Sequence, residues 1–310
     1  MLWELSLRLA LGVSRLDAKR RERHAKAVLA RQCTDGGFAG RRGDSDCYYT
    51  GFALRALAIL GQWDDSVIAA AAEFLAKRMQ ADQPPVDLLS AVQSLELIER
   101  LGGPPGRIAA AVDRRSPVER LIARLRRADG CFAKTEQSGP SSTYGTFLMV
   151  ATARLVGAVI PAAHETAAAI ASRQQPDGGF AELSVVHRSG VNPTAAACSL
   201  LRMLDALPSS VAAAAQRYLR AVQSADAGWP AHGSAPCSDL LSTFAALTVL
   251  AHVAPADDFD LRRSLPFVES LELDQGGFRG AVWDAEIDCE YAFYGIGCLG
   301  LLTDLNAPAG

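Results

Sequence analysis

The 310 residues contain no Cys-x-x-Cys pair, no surplus of positive charge and no apolar run long enough to cross a bilayer. The seven cysteines, an odd number, are scattered as Cys33, Cys47, Cys131, Cys198, Cys237, Cys289 and Cys298. Without paired spacing they read as reduced thiols, and with no secretory leader in view the expected localisation is cytoplasmic. A net charge of -3 and a pI near 6.0 argue against nucleic acid, which needs a basic face. The stretch Leu2 to Val13 is apolar on one face but carries Glu4 and Arg8 and is too short to span a membrane. It reads as the first helix of the fold, and no transmembrane segment is expected.

Aromatic residues are few, 7% of the chain, and several of them recur at one kind of stop. A glycine-glycine-aromatic or similar signal ends at Phe132, Phe180, Trp229 and Phe278, at intervals of 48, 49 and 49 residues, with an earlier copy at Phe38. The 94 residues from Phe38 to Phe132 are close to two periods, so one copy between them has lost its signature. Such a period marks a stacked-repeat architecture.

Each repeat reads as a helical hairpin. In the first, Arg21 to Cys33 is a polar-apolar helix that Thr34-Asp35-Gly36-Gly37-Phe38 stops, and Cys47 to Leu60 is a more apolar helix after a short loop. Asp46 can cap that second helix. Equivalent capping positions are Ser142, Asn192, Asp239 and Asp288. The degenerate copy has a first helix from Ser66 to Met79, Pro84-Pro85 in place of the glycines, and Asp87 as its cap, because Asp87-Leu88-Leu89-Ser90 echoes Asp239-Leu240-Leu241-Ser242.

The first helices hold nearly all the charge, and the second are rich in Ala, Leu and Val, so the second helices must be buried. An open solenoid would end in a polar cap. The last hairpin is instead among the most apolar, which favours closure. The expected fold is all-α: an α/α toroid of six helical hairpins in one domain over residues 1–310, inner helices ringed by outer ones around a central cavity.

The motif Asp35-Gly36-Gly37-Phe38-Ala39-Gly40 with Asp46, and the final Asp288-Cys289-Glu290-Tyr291-Ala292-Phe293-Tyr294-Gly295-Ile296, resemble the β subunits of protein prenyltransferases, particularly the Rab geranylgeranyl type. The resemblance covers nearly the whole chain, and squalene-hopene and other class II terpene cyclases share the repeat. It implies an isoprenoid ligand, a helical α-like partner subunit, and a zinc ion held by an Asp, a Cys two residues later and a His. The matching positions here are Asp239, Leu241 and Tyr291, so two of the three zinc ligands are absent. The family also places Arg and Lys in the loop before the zinc Asp, whereas residues 229–237 here hold no formal positive charge. Arg41, Arg42, Arg188 and Arg279, in equivalent loops of other repeats, are candidates to bind a diphosphate instead.

Asp44-Ser45-Asp46-Cys47 resembles the DxDD acid motif of class II cyclases with Cys in the last place. That resemblance implies Asp46 as a proton donor and Asp44 as its motif partner. Asp46 and Asp288, both in Asp-Cys-x-Tyr, can share a proton or a cation if the first and last hairpins meet. Tyr291 completes the catalytic candidates. Cys47 and Cys289 can join those two acids in a metal site, against the plainer expectation that they are buried small hydrophobes.

Tyr48, Tyr49, Phe52, Tyr144, Phe147, Phe244, Tyr291, Phe293 and Tyr294 fall in the first turns of second helices and can line an apolar pocket suited to an isoprenoid. His187 beside Arg188 can assist an anion. His24 and His164 are expected on solvated faces of first helices. The function expected is that of a prenyltransferase or terpene cyclase-like enzyme, with a non-catalytic lipid-binding or scaffold toroid as the rival.

Overall fold

The computed structural model describes residues 2–256 and 259–304. Helix α1, Leu2–Ser14, precedes six hairpins. These pair α2 (Ala18–Leu29) with α3 (Cys47–Leu60), and α4 (Asp65–Arg78) with α5 (Pro85–Leu101). A short helix not foreseen in the sequence, α6 (Gly103–Ala110), comes next. Then α7 (Arg115–Leu125) pairs with α8 (Thr143–Leu155), and α9 (Ala163–Ala171) with α10 (Val191–Met203). Finally α11 (Ser209–Ala221) pairs with α12 (Leu240–Thr248), and α13 (Leu265–Ser270) with α14 (Cys289–Asp304). One π-helical turn, Val249–Val253, prolongs α12.

The stop between paired helices is built the same way in four of the six hairpins. Phe38, Phe132, Phe180, Trp229 and Phe278 are all fully buried. In the first four the backbone N–H donates to a threonine hydroxyl of the following helix, as Phe38 N to Thr50 Oγ1 at 2.9 Å and Trp229 N to Thr243 Oγ1 at 3.0 Å. That hydroxyl in turn donates to the carbonyl of the residue before the helix. In these four copies the aspartate of the stop also accepts from a backbone N–H and from a serine hydroxyl twelve or fewer residues on, as Ser45 Oγ to Asp35 Oδ2 at 2.6 Å. Each of these four copies is thus a locally satisfied polar knot around one buried ring.

Several boundaries differ from the sequence reading. Helix α2 ends at Leu29 because Gln32 already bridges to Phe38. Asp87 lies inside the first turn of α5, whose N-cap is Pro84, and Asn192 lies inside α10, whose N-cap is Gly190. Neither residue caps its helix. Proline at the start of α5 supplies the helical φ and lacks an N–H, leaving one fewer free amide at that end.

The chain forms two compact bodies, one of residues 2–117 with those from 268 on, the other of residues 118–267. In the second body α10 packs between α8 and α12. In the first, α3 packs between α5 and α14, and α1 packs on both α14 and α3. The first and last hairpins are therefore neighbours, as closure requires.

Polar contacts seal this seam. His24 is not solvated, contrary to the sequence reading: it is completely buried. Its Nε2 lies 3.1 Å from Glu272 Oε1, its Nδ1 accepts from the Gly277 N–H at 3.1 Å, and its ring stacks on Phe278 at 4.9 Å. Arg20 and Arg23 also reach Glu272. Arg31 donates to the Ile287 carbonyl at 2.7 Å. At the other end, Arg8 pairs with Asp304 at 2.7 Å.

Helices α1 and α14 cross at Gly12 and Gly300, where a Cβ on Gly12 would collide with the Gly300 carbonyl. Side chains there force the helices apart, and overpacking of this kind costs about 1–3 kcal/mol. Gly12→Val is expected to lower the melting temperature and expose α1 to limited proteolysis, with the stops elsewhere unaffected.

Candidate active site

The starts of α3 and α14 bring the sequence candidates of the first body together. Asp46 caps α3, its Oδ1 accepting from Tyr49 N at 2.7 Å. Asp288 does the same for α14, with Tyr291 N at 2.8 Å. The second oxygens meet opposite fates. Asp288 Oδ2 receives Arg41 Nε at 2.7 Å, and the same guanidinium reaches Asp284 at 2.6 Å. Arg41 is desolvated, yet these two carboxylates more than offset that and raise its pKa further. Arg42 pairs with Glu286 at 2.7 Å on the surface.

Asp46 has a carboxylate for company. Burial raises its pKa, the helix-start amides of Tyr49 and Tyr48 oppose this, and the charge of Asp87 raises it again. Asp87 is itself raised by burial and also meets the Tyr48 amide. Arg78, whose Nη2 donates to the Ser45 carbonyl at 3.1 Å, works the other way on both acids. The acid that acts on Asp46 is therefore Asp87, from the neighbouring hairpin, and not Asp288, which Arg41 holds. Asp44 is exposed in the loop before them.

Equivalent positions on the second body's helices have other partners, although burial raises Asp239 as well. Ser142 Oγ donates to Glu182 at 2.8 Å, Gly190 has no side chain, and Asp239 Oδ2 accepts from Ser242 Oγ at 2.8 Å. Asp46 differs from Asp239 in that the charge of another acid, Asp87, adds to the effect of burial.

Around the two helix starts lies an aromatic group. Tyr48 meets Phe52 edge-on at 4.9 Å, and Phe52 meets Tyr294 at 5.3 Å and Phe293 at 5.8 Å. The Arg55 guanidinium lies 4.3 Å over Phe52 and 5.3 Å over Phe293. Tyr49 is raised by burial and by the carboxylates of Asp288, Glu290 and Asp46. Tyr291 sits flat against Gly280, where a Cβ would strike its ring, and carries Arg41 at 5.2 Å on its face.

The remaining candidates are dispersed. Arg279, half-buried in the first body, has an Nε without a hydrogen-bond partner among the described residues. In the second body Tyr144 tilts on Phe147 at 6.2 Å and Phe244 is 9% exposed. His187 and Arg188 are exposed in the loop before α10. Of the four loop arginines, Arg41 and Arg42 are held by acids.

The proposed metal quartet does not form: among the described residues no three His, Cys, Asp or Glu side chains gather into a metal-holding group. Cys47 and Cys289 are buried thiols, each pushed up to about 12 by desolvation. The residues at the zinc positions do not fit the ion either. Leu241 offers no donor atom, and both oxygens of Asp239 are taken by the Ser242 amide and hydroxyl.

This architecture matches the family described as the prenyltransferase alpha-alpha toroid domain, over residues 1–84, 83–197 and 194–308. The chain belongs to that family. Its fold is an α/α toroid, shared with Candida albicans protein geranylgeranyltransferase-I, solved in complex with GGPP (TM-score 0.69, 14% identity, 91% of this chain and 90% of that one). A Salegentibacter GH76A α-1,6-mannanase is similar too (TM-score 0.63, 10% identity, 92% and 98% covered). A fold that also serves a glycosidase does not by itself name a reaction. In sequence, 93 residues are 41% identical to the drimenyl diphosphate synthase of Streptantibioticus cattleyicolor, 30% of this chain. The match spans only 17% of that curated relative. No helix among the described residues is long and apolar enough to cross a membrane.

Two acids were not among the catalytic candidates read from the sequence. Asp87 was read as a cap, and Glu290 was passed over inside the motif that carries Asp288 and Tyr291. A pattern signal exists for Glu290: two residues past the cap, the other helices carry Tyr48, Tyr144, Asn192 and Leu241, none of them charged.

Proposed function

We propose that this toroid is an isoprenoid-processing enzyme in which Asp46 donates the proton that starts the reaction, without the zinc chemistry of thiol prenylation. The observation that carries this is the pairing of Asp46 with Asp87. Two carboxyls in one partly desolvated place resist double ionisation, which favours the protonated form of one of them. Asp46 is the one whose pKa is raised by the other's charge.

In the first step the Asp46 O–H bond breaks as its proton bonds to one carbon of an isoprenoid double bond. The π pair forms the new C–H bond, the other alkene carbon becomes a cation, and Asp46 is left as carboxylate. Faces of Tyr48, Phe52, Phe293 and Tyr294 are chemically suited to such a cation. The stretch similar to a drimenyl diphosphate synthase supports a terpenoid diphosphate as substrate class. For its diphosphate, Arg279 is the candidate loop cation in the same body as Asp46 that pairs with no acid among the described residues.

The test is incubation of the purified protein with geranyl, farnesyl and geranylgeranyl diphosphates and squalene, with products resolved by mass spectrometry. A cyclised or isomerised product that retains the diphosphate is expected. Tight binding of every substrate with no conversion would assign the protein to lipid binding instead.

A further inference from the structure

We propose that Glu290 is the proton acceptor that ends the reaction Asp46 begins; this rests on the reading of Asp46 as the acid. Glu290 stands in the first turn of α14 but does not cap it, since Asp288 does. Its Oε1 accepts from Tyr48 Oη at 2.7 Å and from Tyr294 Oη at 3.3 Å. No ion pair within 4 Å engages it among the described residues, although Arg55 and Asp288 act on it from a longer range. A half-buried carboxylate satisfied by phenols alone is costly to keep for stability, because an apolar side chain would fill the same space without desolvation.

Its surroundings give the cost a purpose. Its two phenol partners, Tyr48 and Tyr294, both pack on Phe52, and Phe293 packs on Phe52 and Tyr294, so a cation held against this ring cluster lies near a base. Burial raises Glu290, which strengthens it as a base. In the closing step a C–H bond next to the cationic carbon breaks, its proton passes to the Glu290 carboxylate, and the bonding pair becomes the new double bond. Glu290 is then neutral and Asp46 ionised, so one proton must return. That return goes through solvent between turnovers. The net reaction is redox-neutral and needs no co-reactant.

Product analysis with farnesyl and geranylgeranyl diphosphates tests this in wild type, Glu290→Gln and Asp46→Asn. Glu290→Gln is expected to keep consuming substrate but to lower the ratio of alkene to water-trapped alcohol at least about tenfold. A merely structural role would change yield and melting temperature and leave that ratio alone. Should Glu290→Gln not fold, the Tyr48→Phe and Tyr294→Phe pair retains the rings and removes both donors, and the same redistribution is expected. Conversion that needs Asp46 but gives the wild-type product ratio in these variants overturns the acceptor role only. No conversion by wild type, or conversion untouched by Asp46→Asn, overturns the Asp46 reading and the acceptor role together.

Discussion

An Asp46→Asn variant is expected to fold normally and to lose about 10²–10⁴-fold in turnover, the usual contribution of a positioned general acid. The fold survives because asparagine caps a helix as well as aspartate, its amide oxygen replacing Oδ1 at the Tyr49 N–H. What is lost is only the transferable proton. The companion change, Asp87→Asn, has a different signature. Turnover requires protonated Asp46, so the rate falls as pH rises through the Asp46 pKa, which burial and the Asp87 charge both raise. Removing that charge lets Asp46 ionise earlier, and the alkaline limb of the pH–rate profile moves to lower pH. A profile unmoved by Asp87→Asn would mean that the two carboxyls do not communicate.

The second large effect concerns stability. Glu272→Gln is expected to cost about 3–5 kcal/mol, the scale for breaking one side of a buried ion pair, and to lower the melting temperature by on the order of 5–10 °C. The Glu272 side chain is 11% exposed and receives His24, Arg20 and Arg23. Burial alone would raise its pKa, but hydrogen bonds from His24 and Arg20 and the Arg20 charge outweigh that and bring it down to about 2. A carboxyl lowered in the folded state stabilises fully above its unfolded value, roughly 4.3, and that stabilisation is lost as pH falls from there toward about 2. Wild type should therefore lose stability across this window, and Glu272→Gln should show a flatter acid limb. Denaturant melts at pH 7, 5, 4 and 3 measure both.

Much of the fold was legible because the repeat signal is local. Glycines at the stop, a capping residue and an apolar second helix all sit within one period, and Cys47–Leu60 has the bounds read from the sequence. The approach of the first and last hairpins was legible from the apolar end of the chain. Partnerships across that seam were not. His24 sits in a charged run that looks solvated, and only the arrival of Glu272, 248 residues away, makes it a core residue. For the same reason Arg41 looked available for an anion until Asp284 and Asp288 met it. Asp87 and Asn192 lie three and two residues past the caps, because proline and glycine hold the cap positions of their helices.

The seam also imposes an order of events during synthesis. The body holding residues 2–117 cannot be completed until residues from 268 on have been made, whereas residues 118–267 form a body from contiguous sequence. At 5–20 residues per second the ribosome needs roughly 10–30 s to traverse that interval. Through that time the apolar flanks of α1 and α3 that α14 will cover stay unprotected. Nascent chains stalled before α14 should be the ones that chaperones hold.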